Sequence, residues 1–117
     1  MVRYRDLAVW QKSMTLAERV YRASNAFPPG ERFGLTSQVR RATVSIASNI
    51  AEGKAVGGQS YRRHLKIALG SEAELQTQLE LATRLGMLNQ KDADDIQGAL
   101  SEVGRMLVKL LNSLPQD

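Results

Sequence analysis

Between Ile96 and Leu114 the chain places apolar side chains at Ile96, Leu100, Val103, Leu107, Leu110 and Leu114, in alternating steps of four and three. That spacing puts all six on one stripe of an α-helix, the seam of an antiparallel bundle or coiled coil. The same steps recur upstream. The first segment gives Leu7, Trp10, Met14, Ala17 and Tyr21; the second gives Leu35, Val39, Ala42 and Ile46, then Asn49 and Gly53; the third gives Tyr61, Leu65, Ala68, then Glu72, Leu75, Leu79 and Ala82. No segment alternates with the period of two that a strand requires.

Gly and Pro punctuate the chain at "FPPGERFG" (27–34), "GKAVGG" (53–58) and "GMLNQKD" (86–92), leaving four helical segments joined by short connections. Asp6 is a candidate cap for the first helix. Ser60 or the glycines before it start the third, and Asn89 with Asp92 three residues on starts the fourth. Gly53 closes the second helix, "GKAVGGQS" reads as a flexible loop, and Gly86 and Pro115 mark the remaining stops. Sequential helices with short links are antiparallel neighbours, so residues 1–117 are expected to form one all-α domain, an antiparallel up-down four-helix bundle. A chain of 117 residues buries roughly two thirds of its unfolded surface without metal or disulfide.

Two helices are apolar on two sides. On the third, Ile67, Leu81 and Leu85 lie away from the main stripe, and on the second, Val44, Ala47 and Ala51 lie opposite Leu35 and Ile46. A monomeric four-helix bundle has one core, so these strips are candidate contacts with further copies of the chain.

Within the seams, Glu72 falls in mid-stripe. An unpaired buried carboxylate is costly, so a partner is expected, with Asn49, Ser45, Ser48 and Arg41 as candidates. Such a network fixes helix register; a catalytic reading would make Glu72 an acid or base with Asn49 and Ser48 beside it. The chain has no cysteine and one histidine, His64, which excludes thiol chemistry and leaves no Glu-x-x-His pair for a carboxylate-bridged metal. His64 is expected to be partly buried or interfacial. No nucleophile elbow or phosphate-binding glycine loop appears, so neither catalytic residues nor a cofactor are expected. Neither a leader nor a membrane span is recognisable, so a cytoplasmic protein is expected.

Charge is unevenly placed. The whole chain carries +4, but residues 32–71 hold seven Lys/Arg against the single acid Glu52, while residues 72–117 are net negative. Arg40 and Arg41 leave the second helix away from its core stripe, Lys54 follows Gly53, and "YRRHLK" sets Arg62, Arg63 and Lys66 in the first turns of the third helix. In an antiparallel pair, Lys54 and Arg62 to Lys66 gather near one end and Arg40/Arg41 lie further along. Such residues meet phosphates as point charges, with salt-sensitive and sequence-independent affinity. No aromatic run accompanies them to stack bases.

The stretches "RDLAVWQKSMTLAERVY" (5–21), "FPPGERFGLTSQVRRATVSIASNIAEG" (27–53) and "ALGSEAELQTQLELATRLG" (68–86), with the heptads that follow, cover essentially the whole chain. In them the chain resembles the four-helix bundle family first noticed as reading frames inside intervening sequences of bacterial 23S ribosomal RNA genes. The resemblance implies a bundle assembled into a ring-shaped homopentamer. It also implies kinship with the accessory protein of diversity-generating retroelements, a basic pentamer associated with nucleic acid and a reverse transcriptase. It supplies no catalytic residues. The expected function is a non-enzymatic oligomeric scaffold binding RNA or DNA through its basic surface. The alternatives are a ring docking an acidic protein, such as a reverse-transcriptase-type partner, and an enzyme using Glu72.

Overall fold

The computed structural model describes residues 2–116. Four helices, α1 (Ala8–Ser24), α2 (Leu35–Val56), α3 (Gly58–Arg84) and α4 (Gln90–Ser113), form an up-down bundle, preceded and interrupted by short 3-10 turns at Tyr4–Asp6 and Pro29–Glu31. Helix α1 packs on α2 and α4, and α3 packs on the same two, in a square with a core along its axis. The molecule measures 44 × 24 × 23 Å, close to the length of α3, a helix of 27 residues rising 1.5 Å each.

The core follows the stripes closely in three helices. Val39, Ala42 and Ile46 of α2, Tyr61, Leu65, Ala68, Leu75, Leu79 and Ala82 of α3, and Ile96, Leu100, Val103 and Leu107 of α4 are buried. Leu110 and Leu114 are partly covered against that core. Each fully buried leucine contributes roughly 1.5–3 kcal/mol.

Helix α1 departs from expectation. Its buried row is Val9, Ser13, Leu16, Val20 and Ser24, whereas Met14 and Tyr21 stand exposed. The row expected from the large apolar residues is therefore rotated to the side of the true one. Ser13 and Ser24 can be buried because each hydroxyl donates to the backbone of its own helix, to Val9 O (2.7 Å) and Tyr21 O (3.1 Å).

The helix ends are set by local chemistry. Asn89 caps α4, accepting from the Asp92 amide at 2.8 Å. Gly86, with φ 77°, closes α3 through bonds from Met87 N to Ala82 O and from Gly86 N to Thr83 O, a Schellman arrangement. Asp6 does not cap α1, because it lies in the preceding turn and accepts from the Arg3 amide at 3.1 Å. At α2 the cap comes from Glu31, whose Oε1 accepts from Leu35 N at 2.9 Å.

The expected loop after Gly53 is helix. Helix α2 runs through Gly53 and Lys54 to Val56, and Gly57 alone separates it from α3. Gly57 and Gly58 adopt φ 77° and 60°, left-handed conformations that glycine tolerates best. Gly53 has a different role: a Cβ there would lie 2.9 Å from the His64 Cβ and 3.3 Å from Tyr61 O, so its lack of a side chain lets α2 and α3 approach closely.

Candidate nucleic-acid interface and the polar seam beside it

The six basic residues fall into two groups. Arg40 is internal: its guanidinium donates to Ser24 Oγ and Asn25 Oδ1 at 2.9 Å each and to Tyr21 O at 3.3 Å, and it lies over the Tyr21 ring. It ties α2 to the end of α1. Arg62 similarly ties α3 to α4, donating to Leu111 O at 3.0 Å, a last-turn carbonyl that otherwise has only the 3.3 Å bond from Leu114 N. Arg41 is exposed but bonded across the α2–α3 pair to Glu74 (3.1 Å) and, within α2, to Gln38 (2.9 Å).

Lys54, Arg63 and Lys66 remain without an acidic partner among the described residues. Lys54 sits with its ammonium 5.8 Å from the Tyr61 ring centroid, and burial pushes the Tyr61 phenol above its usual range. Arg63 and Lys66, with Gln59, Ser60 and Arg62, border an open groove of about 390 Å³ over the start of α3. The basic residues thus gather where α2 meets α3, as expected, while Arg40 and Arg41 lie toward the other end. Phe33, 87% exposed beneath Arg32, belongs to the α1–α2 connection, at the opposite end from Lys66.

A continuous hydrogen-bonded seam runs up the α2–α3 contact. Ser71 Oγ and Ser45 Oγ are 2.8 Å apart. Asn49 Nδ2 donates to Ser45 O (2.8 Å) and Ser45 Oγ (3.1 Å), and Asn49 Oδ1 faces His64 Nδ1 at 2.8 Å. His64 Nε2 in turn lies 3.4 Å from the Arg63 guanidinium. Asn49 is therefore paired with Ser45 and His64, not with Glu72, and Ser48 is exposed outside the network. Ser71 and the Asn49–His64 bond escaped the sequence pattern. Their signal was Gly53, one turn beyond Asn49, marking where α3 comes close.

Glu72 points the other way, toward α4, where its carboxyl group abuts Gly104. It is half-buried rather than enclosed, and desolvation holds its carboxyl above the usual carboxylate range. None of the expected donors, Asn49, Ser45, Ser48 or Arg41, is hydrogen-bonded to it. Among the described residues no three His, Cys, Asp or Glu side chains converge to hold a metal ion, and no helix is long and apolar enough to cross a membrane.

Two apolar strips remain on the outside. Val44, Ala47 and Ala51 share the α2 row of Arg40, whose guanidinium lies over the exposed Tyr21 of α1; Met14 of α1 is exposed as well. Ala47 itself is 6% exposed, so it is buried within the bundle and is not an open contact residue. Ile67 and Leu81 share the α3 row of Glu74 and continue to Leu85. Val44, Ile67, Leu81 and Leu85 are 41–57% exposed, large values for their type.

The sequence profile of the 23S rRNA-intervening sequence protein family matches residues 5–109. Among solved structures, a protein of unknown function from the S23 ribosomal protein family of Bacteroides thetaiotaomicron is similar at 23% identity, with a TM-score of 0.84, over 91% of this chain and 100% of that one. No curated protein sequence matches. The likeness in structure extends to the fold of the bundle.

Proposed function

The chain belongs to the 23S rRNA-intervening sequence protein family, and from that premise we propose a non-enzymatic, oligomeric, cytoplasmic scaffold that binds RNA or DNA without sequence preference. The observation that supports it most is the pair Arg63 and Lys66, exposed over a groove at the start of α3, with half-buried Lys54 near the end of α2 that joins it, none of the three ion-paired with an acid among the described residues. Phosphates engage such a cluster as point charges. The strips at Val44/Met14/Tyr21 and Ile67/Leu81/Leu85 occupy different faces and differ in composition, which favours head-to-tail association of copies into a closed ring, a homopentamer on the family resemblance. A ring would repeat the basic cluster and raise avidity without new contacts.

Binding of a generic duplex and of a structured RNA across a salt series tests the reading. Affinity is expected to fall steeply with salt, and reversal of Arg63 and Lys66 to Glu is expected to abolish it. Negligible binding at low salt, or indifference to the reversal, would sink the proposal. Light scattering tests assembly separately: the expected mass is several times that of one chain, reduced by Leu81→Glu or Met14→Glu.

A second reading has the same cluster docking an acidic protein. The internal engagement of Arg40 and Arg62 favours it, since of these six basic residues the ones left without an acid or carbonyl partner form a compact patch rather than a long track. A capture that survives nuclease and returns one acidic partner would support this reading over the first.

A further inference from the structure

The seam between α2 and α3 fixes where the protons of its one histidine sit. Asn49 donates through Nδ2 to the carbonyl of Ser45 at 2.8 Å, and a carbonyl can only accept. The amide orientation is thereby set, and Oδ1 is the atom that faces His64 Nδ1 at 2.8 Å. An amide oxygen can only accept in its turn, so Nδ1 carries a hydrogen. In the neutral ring the lone pair must then reside on Nε2, the nitrogen 3.4 Å from the Arg63 guanidinium.

We infer that His64 is a proton-operated latch on Arg63, tethering the guanidinium to its Nε2 lone pair at the rim of the groove when neutral and leaving it free to turn onto a bound anion when protonated. Protonation places a hydrogen on Nε2, which can no longer accept from Arg63, and sets two cations on adjacent residues. Arg63 must turn away. Arg63 already borders the groove with Lys66, Arg62, Ser60 and Gln59, so an untethered guanidinium stays at its rim and is free to meet an anion there, beside the new imidazolium charge.

The surrounding groups leave this change uncompensated. From α2, the element packed on this face through Gly53, the charged neighbours are Glu52 and Lys54. Neither is ion-paired with His64, and Lys54 lies over Tyr61. On α3 itself the charged neighbours are Arg62, engaged at Leu111 O, with Arg63 and Lys66. The Asn49–Ser45–Ser71 chain behind the ring is neutral, and the Nδ1 bond survives protonation, so the ring stays in place while its outer edge changes sign.

The ligand rests on the nucleic-acid reading above; the latch does not. The test combines binding of a short RNA duplex at fixed salt with NMR of the free protein. Affinity is expected to rise roughly five- to tenfold between about pH 8 and about pH 5.5, the worth of about one more neutralised phosphate. His64→Gln should remove most of that rise, and Arg63→Gln should remove it too. A rise that persists in His64→Gln, or binding with no rise at all, overturns the inference. Absence of binding at either pH overturns the nucleic-acid reading instead, and the latch is then decided by long-range proton–nitrogen spectra of the imidazole. The Nδ1–H tautomer at about pH 8, with Arg63 side-chain signals moving at the His64 midpoint, upholds it; the Nε2–H tautomer, or Arg63 signals that ignore the midpoint, overturns it.

Discussion

The Glu72 carboxyl group on α3 fills the space a side chain at position 104 of α4 would need: a Cβ on Gly104 would lie 2.6 Å from Glu72 Oε2. Glycine inside a helix sacrifices about 1 kcal/mol relative to alanine, and here it makes room for a half-desolvated acid. The carboxyl is the end of a flexible, half-exposed side chain that can swing aside, so Gly104→Ala is expected to shift stability by less than about 1 kcal/mol, the displacement of Glu72 offsetting the gain in helix propensity. In a Glu72→Ala background the same change should be more favourable. Urea midpoints of the four proteins form a double-mutant cycle, and additive effects would show that the two residues do not share the space.

Burial raises the Glu72 carboxyl pKa in the folded state. The native state therefore holds this proton at a pH where the unfolded chain has released it, so stability from this group is greatest in acid and declines as pH rises from the ordinary carboxylate range through the folded value. Glu72→Gln is expected to be more stable than the parent at neutral pH, by on the order of a few tenths of a kcal/mol because solvent screens a half-exposed group. The gain should shrink below about pH 4. Denaturant unfolding at both pH values measures it; a gain that grows in acid would reverse the assignment.

The glycines of α2 and α4 should not respond alike. Gly53→Ala meets the Cβ of His64 and the carbonyl of Tyr61, and backbone cannot step aside, so a loss of about 2–3 kcal/mol is expected. Gly98→Ala, exposed on α4 with nothing within 4 Å, should gain roughly 0.5–1 kcal/mol from helix propensity. Thermal melts of the two variants decide the matter.

Arg40 and Arg63 separate structure from binding. Arg40→Ala strips the bonds to Ser24, Asn25 and Tyr21 and is expected to lower stability by about 1–2 kcal/mol with polyanion affinity nearly intact. Arg63→Ala, exposed and only weakly engaged, should leave the melt within about 0.5 kcal/mol of the parent and weaken binding. The opposite pattern would place the interface around Arg40.

How far the sequence revealed this molecule depended on how purely each position obeyed hydrophobicity. Helices α3 and α4 were legible because their stripes are built mainly of Leu, Ala, Ile and Val, and those stripe residues are also the ones buried. Helix α1 misled because Ser13 and Ser24 are buried by bonding their own backbone, while Trp10, Met14 and Tyr21 advertise a row that flanks the core. Gly53 was legible as important but not as interior, since a glycine that ends a helix and one that admits a neighbouring helix look the same in one dimension. The partners of Asn49 depend on which way side chains turn at a helix crossing, and spacing alone does not encode that. The basic cluster was visible as composition, whereas the internal engagement of Arg40 and Arg62 required the tertiary fold.

The one-residue link at Gly57 has a kinetic consequence. With a single residue between α2 and α3, bringing them together closes almost no loop, so little chain entropy opposes their contact. Pairing α1 with α4 must wait for nearly the whole chain to be arranged. Folding is expected to begin at the α2–α3 turn and spread outward. Leu65→Ala should then slow refolding, whereas Leu16→Ala on α1 should chiefly hasten unfolding, a contrast that stopped-flow rates would resolve.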